Sequence, residues 1–167
     1  MIILGVDPGL QITGYGVIEA GRGSCPKVKE AGVIRTTSRQ DIGARLEKIY
    51  KNLLEVTGEY KPEALAIEKL YSHYKHPMTS ILMGHARGVV CLVAGSSGIK
   101  LINYPATRIK KAITGNGHAS KQQIAGMIKQ RLALSELPEP ADVSDALACA
   151  LTYVLEPKVR NDFTHKR

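Results

Sequence analysis

Four carboxylates stand at points where chemistry is possible, and together they could hold divalent metal ions. Asp7 ends an apolar run, Glu68 interrupts another, and Asp142 and Asp145 open a late helical pattern three residues apart. Carboxylate oxygens are the protein ligands that Mg²⁺ prefers, alongside phosphate and water. Two such ions about 3.5–4 Å apart activate a water and stabilise the leaving oxygen of a phosphodiester. The four acids therefore predict phosphodiester hydrolysis with two Mg²⁺ ions per site, for which Mn²⁺ would substitute.

Each carboxylate alone also has a purely structural explanation. Asp7 could simply begin the turn Asp-Pro-Gly, and Asp142 and Asp145 could serve the helix dipole, which favours acids in a first turn. Glu68 is harder to explain, because period-two alternation places it on the same face as Ala66 inside an apolar strand. A buried carboxylate costs several kcal/mol without a cation, so Glu68 needs a metal or a cationic partner unless it lies at the surface.

The net charge of +8 is concentrated in one segment of the chain. Between Glu68 and Glu136 there is no Asp or Glu, whereas the rest of the chain holds 13 basic residues and all 15 acids. The ten basic residues of the acid-free segment are Lys69, Lys75, Arg87, Lys100, Arg108, Lys110, Lys111, Lys121, Lys129 and Arg131. A segment of one sign is typical of proteins that bind polyanions, although a chance excess of solvated lysines would look similar.

The elements that must position these residues follow from the hydrophobic patterns. Strands are predicted over residues 2–7, 13–20, 28–36, 63–70 and 99–104, and helices over about 40–59, 79–96, 105–113, 120–134 and 141–155. This order predicts an α/β fold whose mixed five-stranded sheet has three antiparallel strands, then parallel strands, with helices on both faces. Gly14 and Gly16 leave one face of the second strand bare beside Asp7, which predicts a close approach of a ligand.

Composition and cysteine spacing exclude several classes of protein. The cysteines Cys25, Cys91 and Cys149 form no CxxC or Cys/His pattern, so neither a disulfide framework nor a structural zinc site is expected. This cysteine usage predicts that the protein resides in the reducing cytoplasm. The longest apolar run, residues 88–95, is shorter than the ~20 residues that cross a bilayer, so no membrane partner is expected. We predict one domain over residues 1–156 and a basic, flexible tail over 157–167.

The motifs that contain these residues resemble those of the RuvC family of Holliday junction resolvases, whose fold is ribonuclease H-like. They are, in order, Ile3-Leu-Gly-Val-Asp-Pro-Gly9, Thr13-Gly-Tyr-Gly16, Ala66-Ile-Glu68, Gly84-His-Ala-Arg-Gly88 and Ala141-Asp-Val-Ser-Asp-Ala-Leu-Ala148. The resemblance spans residues 2 to about 155 and implies a Mg²⁺-dependent crossover junction endodeoxyribonuclease. Such an enzyme resolves four-way DNA junctions in recombination and repair by paired symmetric nicks, leaving 5′-phosphate and 3′-hydroxyl ends.

Particular residues inherit roles from this resemblance. Asp7, Glu68, Asp142 and Asp145 match the family's four acidic metal ligands. Tyr71 matches an aromatic residue that stacks on an unpaired base at the crossover, an interaction worth about 1–3 kcal/mol, and Tyr74 is a second candidate. A half-buried loop tyrosine is the alternative explanation for Tyr71.

The basic residues near the scissile phosphate are inferred in the same way. Lys110 and Lys121 match basic residues of the family, and Arg108 and Lys111 would be neighbouring phosphate contacts. Lys121 is the expected catalytic lysine, because it opens a helix with the capping-box sequence Ser-Lys-Gln-Gln, where backbone N–H groups also favour phosphate. His118 is a further candidate for phosphate binding, although a lone loop histidine is more often only solvated.

The resemblance also implies partners. These are four-way junction DNA, a second copy of the chain, and the RuvA–RuvB branch-migration complex. Gly84 and Gly88 leave a smooth stripe on one helix, which would suit either a dimer contact or packing within the chain. Two other classes remain open. An actin-like ATPase would use the turn after Asp7 for phosphates but needs two such domains, and a non-catalytic DNA-binding subunit leaves Glu68 unexplained.

Overall fold

A computed structural model describes residues 1–21, 24–70 and 77–156. The strands are β1 (Ile2–Asp7), β2 (Ile12–Glu19), β3 (Lys27–Arg35), β4 (Ala64–Glu68) and β5 (Lys100–Tyr104). The helices are α1 (Ile42–Tyr60), α2 (Pro77–Ser96), α3 (Ala106–Thr114), α4 (Lys121–Arg131) and α5 (Ala141–Leu155). The element order predicted from the sequence is therefore confirmed.

The strands form one mixed sheet in the order β3-β2-β1-β4-β5. The pairs β1–β2 and β2–β3 are antiparallel, and the pairs β1–β4 and β4–β5 are parallel, as predicted. Because β1, β4 and β5 run in one direction, their carboxyl ends lie at one edge of the sheet. Asp7 and Glu68 are the last residues of β1 and β4, so neighbouring strands bring the two acids to the same edge.

Two apolar cores cover the two faces of the sheet, because side chains alternate along each strand. Leu4 of β1 and Leu65 of β4 pack in the core that α1 and α2 complete. Ile3 and Ala66 face the opposite core, which residues of α3, α4 and α5 complete. Helices therefore lie on both faces, and Asp7 and Glu68 continue the alternation on the α5 side.

Helix α5 lies very close to the sheet because β1 and β2 present glycines to it. A Cβ atom added at Gly5 would stand 2.0 Å from the carbonyl oxygen of Ala146, and one at Gly14 would stand 2.1 Å from that of Asp142. Real Cβ contacts are never so short. The prediction that Gly14 and Gly16 admit a ligand is wrong, because α5 fills the space that they leave.

Strand β4 ends at Glu68, two residues before the predicted end at Leu70. Glu68 consequently stands at the strand end and is not enclosed inside the strand, so its carboxylate is only partly desolvated and not fully buried as the sequence pattern predicted. The predicted helix over residues 120–134 likewise ends early, at Arg131, and Ala133 beyond it has a positive φ of 50°.

Helix α2 has the length and composition of a membrane span. Its segment Met78–Ser96 has 19 residues and a mean hydropathy of 1.3. The uninterrupted apolar run over residues 88–95 is only part of this apolar segment. One side of the helix nevertheless belongs to the protein core, where Ala86, Val90 and Val93 are fully buried. The helix is therefore a layer of this α/β domain whose other side is left uncovered by the described residues.

Candidate active site

A cleft of about 680 Å³ opens at the edge of the sheet where β1 and β4 end. The strand ends contribute acids, α5 adds another acid, and α2, α3 and α4 add cationic side chains. The charged residues that line the cleft are Asp7, Glu68, Lys69, Arg87, Lys110, Lys121 and Asp145. Acids and bases that are distant in sequence therefore meet around one space large enough for part of a nucleic acid backbone.

Three of the four predicted metal ligands, Asp7, Glu68 and Asp145, line this cleft. Asp142 lies in the first turn of α5, directly over Gly14 of β2, and does not contribute to the lining. Its negative charge nevertheless acts on Asp7. The structure thus gathers all four acids into one electrostatic neighbourhood, with Asp142 at its margin.

The pKa of Asp7 is strongly perturbed by its surroundings. Burial first, and then repulsion by the neighbouring carboxylates, together raise the pKa of Asp7 from 3.8 to about 7. In decreasing order of effect these neighbours are Asp145, Asp142 and Glu68, while Lys121 acts in the opposite direction. A cation bound among the acids would remove this repulsion and favour the ionised form of Asp7.

Lys121 links the basic side of the cleft to the acids. Its Nζ atom lies 3.1 Å from Oδ2 of Asp145, and this hydrogen bond is the main reason why the pKa of Lys121 is raised. The pKa of Glu68 is raised by desolvation first and by Asp145 second, whereas Lys110 and Lys121 lower it. Lys110 and Lys121 therefore both act on the acid cluster.

The local fold explains the position of Lys121. Ser120 caps α4 by accepting a hydrogen bond from the backbone N–H of Gln123 at 3.3 Å, and Gln123 Oε1 accepts one from the backbone N–H of Ser120 at 2.9 Å. The predicted capping box is therefore confirmed. It fixes the first turn of α4, so that the exposed side chain of Lys121 starts from a rigid position at the mouth of the cleft.

The other predicted DNA contacts are distributed unevenly. Arg108 and Lys111 lie outside the cleft, beside a small cavity of about 180 Å³ where Arg108 pairs with Glu156 at 3.6 Å. His118 is exposed in the loop before α4 and is also absent from the cleft lining. Their contact with DNA remains a prediction. Tyr71, Tyr74 and the tail over 157–167 lie outside the described residues.

The donor chemistry of the acids suits a hard divalent cation, because all four are carboxylates. Within residues 1–21, 24–70 and 77–156, no three His, Cys, Asp or Glu side chains stand close enough to enclose one ion as they are. The acids surround a shared space without converging on one point. Such spacing suits ions that several carboxylates bind and whose coordination is completed by water and, when DNA is bound, by phosphate oxygens.

Sequence reasoning missed two arginines that hold the backbone near the acids. Arg45 of α1 is buried, and its Nη2 and Nε atoms donate to the carbonyl oxygen of Leu10 at 3.1 Å and to Thr36 Oγ1 at 2.9 Å, which anchors the loop that follows Asp7. Arg87 of α2 lines the cleft itself. The sequence signal for Arg45 was an arginine inside the predicted helix over about 40–59, and the signal for Arg87 was its place in the Gly84–Gly88 motif.

Comparisons with known proteins agree on one family. The family described as crossover junction endodeoxyribonuclease RuvC matches residues 3–153. The RuvC protein of Rhodopirellula baltica is 49% identical over 150 residues, which are 89% of this chain and 83% of that protein. The solved structure of Thermus thermophilus RuvC matches with a TM-score of 0.86 and 32% identity. The match covers 93% of this chain and 94% of the T. thermophilus chain.

A second solved structure adds a ligand. It is T. thermophilus RuvC in complex with a Holliday junction substrate. The match has a TM-score of 0.87 and 30% identity, and it covers 98% of this chain and 97% of the T. thermophilus chain.

Proposed function

This chain belongs to the RuvC family of crossover junction endodeoxyribonucleases and has its ribonuclease H-like fold, and we propose that it resolves four-way DNA junctions by metal-dependent hydrolysis. The observation that carries this proposal is one cleft in which Asp7, Glu68 and Asp145 face Lys110 and Lys121. The Holliday junction bound to the T. thermophilus relative supports the choice of substrate. The products would be paired symmetric nicks with 5′-phosphate and 3′-hydroxyl ends, made in the cytoplasm during recombination and repair.

Asp7, Glu68, Asp142 and Asp145 would hold the metal. When bound, two Mg²⁺ ions, or Mn²⁺ in their place, supply the activation of a water and the stabilisation of the leaving 3′-oxygen. The raised pKa of Asp7 supports this assignment, because carboxylates that repel one another are stabilised by a divalent cation. Without a cation the same charges would also repel the phosphate.

The cationic side chains attract and orient the DNA backbone. Lys121, exposed at the mouth of the cleft and paired with Asp145, would act as the catalytic lysine by turning to the scissile phosphate and holding its developing negative charge. Lys110, half-buried in the wall, would hold a neighbouring phosphate, with Arg108, Lys111 and His118 as outer contacts. Tyr71 would stack on a base at the crossover.

Paired nicks require two active sites, which a symmetric dimer supplies. The uncovered side of α2 supports such a dimer, because Met78, Ile81 and Leu92 are 66%, 52% and 58% exposed. An added Cβ at Gly84 or Gly88 would meet no described atom within 4 Å, so packing within the described part of the chain does not require these glycines. A functional connection with the RuvA–RuvB complex rests on family membership alone.

The decisive experiment is cleavage of a synthetic four-way junction with and without Mg²⁺. We expect Mg²⁺-dependent nicks in two opposed strands, little cleavage of linear duplex, and a loss of about 10³-fold or more in Asp7→Asn and in Glu68→Gln, since metal-borne charge stabilisation is worth several kcal/mol. Glu47→Gln is the matched control, because Glu47 is exposed on α1 and its one ion pair within residues 1–21, 24–70 and 77–156 is with Lys51 at the surface. Normal cleavage by both site variants would refute the metal-ligand assignment, and tight binding without cleavage in any metal would indicate a non-catalytic subunit.

A further inference from the structure

Arg87 of α2 reaches the end of strand β4 and holds it by its backbone. The Nη1 atom of Arg87 donates to the carbonyl oxygen of Glu68, and the Nη2 atom donates to Oδ1 of Asn103 in β5. One planar guanidinium thus joins three elements, α2, β4 and β5, with two hydrogen bonds of fixed relative direction. Lysine cannot reproduce this, because its ammonium is a single point on a flexible chain.

The partner of Arg87 is the carbonyl group of Glu68 and not its carboxylate. Among the described residues, Arg87 forms no ion pair with an acid, and the cations that lower the pKa of Glu68 are Lys110 and Lys121. The carboxylate of Glu68 is therefore left available for another cation, while its main chain is fixed. An arginine that served mainly to neutralise this acid would pair with the carboxylate oxygens.

The end of β4 needs such support. The pairing between β1 and β4 stops at Val6 and Ile67, so Glu68 lies one residue beyond the last contact with β1. On its other side, β5 still reaches the segment, and the backbone N–H of Lys69 donates to the carbonyl oxygen of Tyr104 at 2.8 Å. Arg87 supplies the support that β1 no longer gives to Glu68.

We propose that Arg87, with Asn103, is a positioning residue that fixes the main chain of Glu68 so that its carboxylate meets the metal in the cleft. This inference rests on the proposed role of Glu68 as a metal ligand. Groups that orient metal ligands typically account for about 10–100-fold in metal affinity or activity. Because Arg87 belongs to α2, the helix with the uncovered apolar side, it also connects that helix to the acid cluster.

The primary test is Arg87→Met, which keeps the aliphatic stem and removes both hydrogen bonds. Mn²⁺ binding to the DNA-free protein, measured by titration calorimetry, is expected to weaken about 10–100-fold. The Mg²⁺ concentration that gives half-maximal cleavage of a saturating junction should rise to a similar extent. Junction affinity in EDTA should change less than about threefold, since the proposed role of Arg87 does not involve phosphate.

Further variants separate positioning from charge. Asn103→Ala keeps the charge of Arg87 but removes one of its partners, so Mn²⁺ binding should weaken in the same sense and less. The double variant should be no worse than Arg87→Met, because both changes break one network. Lys100→Met is the matched control, since it removes a charge from the exposed opposite end of β5 and should leave all three measurements unchanged.

The outcomes distinguish the two proposals. If Glu68→Gln cleaves normally, the proposed metal-ligand set is wrong. If Glu68→Gln is inactive but Arg87→Met and Asn103→Ala bind Mn²⁺ like the unaltered protein, only the positioning role of Arg87 is wrong. Weaker junction binding in EDTA with a shallower salt dependence and unchanged Mn²⁺ affinity would make Arg87 a phosphate contact instead. Should Arg87→Met fail to fold, Asn103→Ala gives the same decision, because Asn103 is an exposed side chain.

Discussion

The two sides of the cleft are built in different ways. On the acidic side, the carboxylates extend from strand ends and from a helix whose backbone touches the sheet, with Gly14 directly beneath the carbonyl group of Asp142. On the basic side, lysines extend from α3 and α4, and the side chain of Lys121 is 78% exposed. The acids are placed by backbone contacts, whereas the cations are placed at the ends of long flexible side chains.

This difference corresponds to the precision that each task requires. A divalent metal accepts ligand oxygens only within a narrow range of distances, so its ligands must be fixed. Phosphate is attracted by charge over several ångströms, so a flexible ammonium is sufficient. Substitutions that move the backbone on the acidic side should therefore have large effects, and substitutions of single lysines should have graded, salt-dependent ones.

The largest effect is expected from Gly14→Ala. The added Cβ would stand 2.1 Å from the carbonyl oxygen of Asp142, so α5 must move away from β2. We expect a loss of about 3 kcal/mol or more in the free energy of unfolding, measured with urea, together with a loss of Mg²⁺-dependent cleavage. Gly126→Ala in the exposed part of α4 is the control, because no atom of the described residues outside the neighbouring helix backbone lies within 4 Å of its added Cβ. It should stabilise the protein by up to about 1 kcal/mol. Equal stability of the two variants would contradict the tight contact.

The second effect concerns the pH dependence of the metal-free protein. Since folding raises the pKa of Asp7 from 3.8 to about 7, the folded state holds the proton more tightly, and stability falls as the pH rises from about 4 through 7. Asp7→Asn removes this loss. At pH 8 in EDTA, its free energy of unfolding, measured with urea, should exceed that of the unaltered protein by about 2–4 kcal/mol. The difference should vanish below pH 4, and Mg²⁺ should stabilise only the protein that retains Asp7.

An identical pH profile for the two proteins in EDTA would show that Asp7 is not desolvated and repelled as described. The measurement needs no DNA, so it tests the acidic side of the cleft independently of junction binding.

The smallest effects are expected on the basic side. Lys121→Met should lower the cleavage rate about 10²-fold at saturating junction, because it removes a donor beside the acids. Lys111→Met, outside the cleft, should lower junction affinity by less than about fivefold, an effect that disappears at high salt. Cleavage rates at saturating junction check the effect of Lys121→Met, and junction binding measured between 50 and 200 mM salt checks the effect of Lys111→Met. A larger loss of cleavage for Lys111→Met than for Lys121→Met would reverse the assignment of the two lysines.

Much of this fold could be predicted because its signals are local. Alternating apolar strands, the capping box at Ser120 and the apolar stripe of α5 define the elements, and the parallel strands then bring Asp7 and Glu68 together. Errors arose where a distant element decides the outcome. The bare face at Gly14 and Gly16 is filled by a helix more than 120 residues later in the chain, which local patterns cannot indicate.

The same limit applies to the site. The acids were visible because each stands at the end of an apolar element, but the two arginines were not. Arg87 and Glu68 are 19 residues apart, and Arg45 and Leu10 are 35 apart, so only the folded chain shows which carbonyl groups these arginines hold. The exposure of Glu68 also depended on where β4 loses its pairing with β1, a boundary that hydrophobic alternation does not mark.

The close contact between α5 and the first two strands has a consequence for synthesis. A ribosome makes β1 and β2 before α5, so α5 cannot cover their glycine face until residues 141–155 have been added. Asp7 and Glu68 exist on the growing chain well before Asp142 and Asp145 do. The acid cluster can therefore assemble only after translation has passed α5, so a nascent chain that stops earlier has no complete set of carboxylates near DNA.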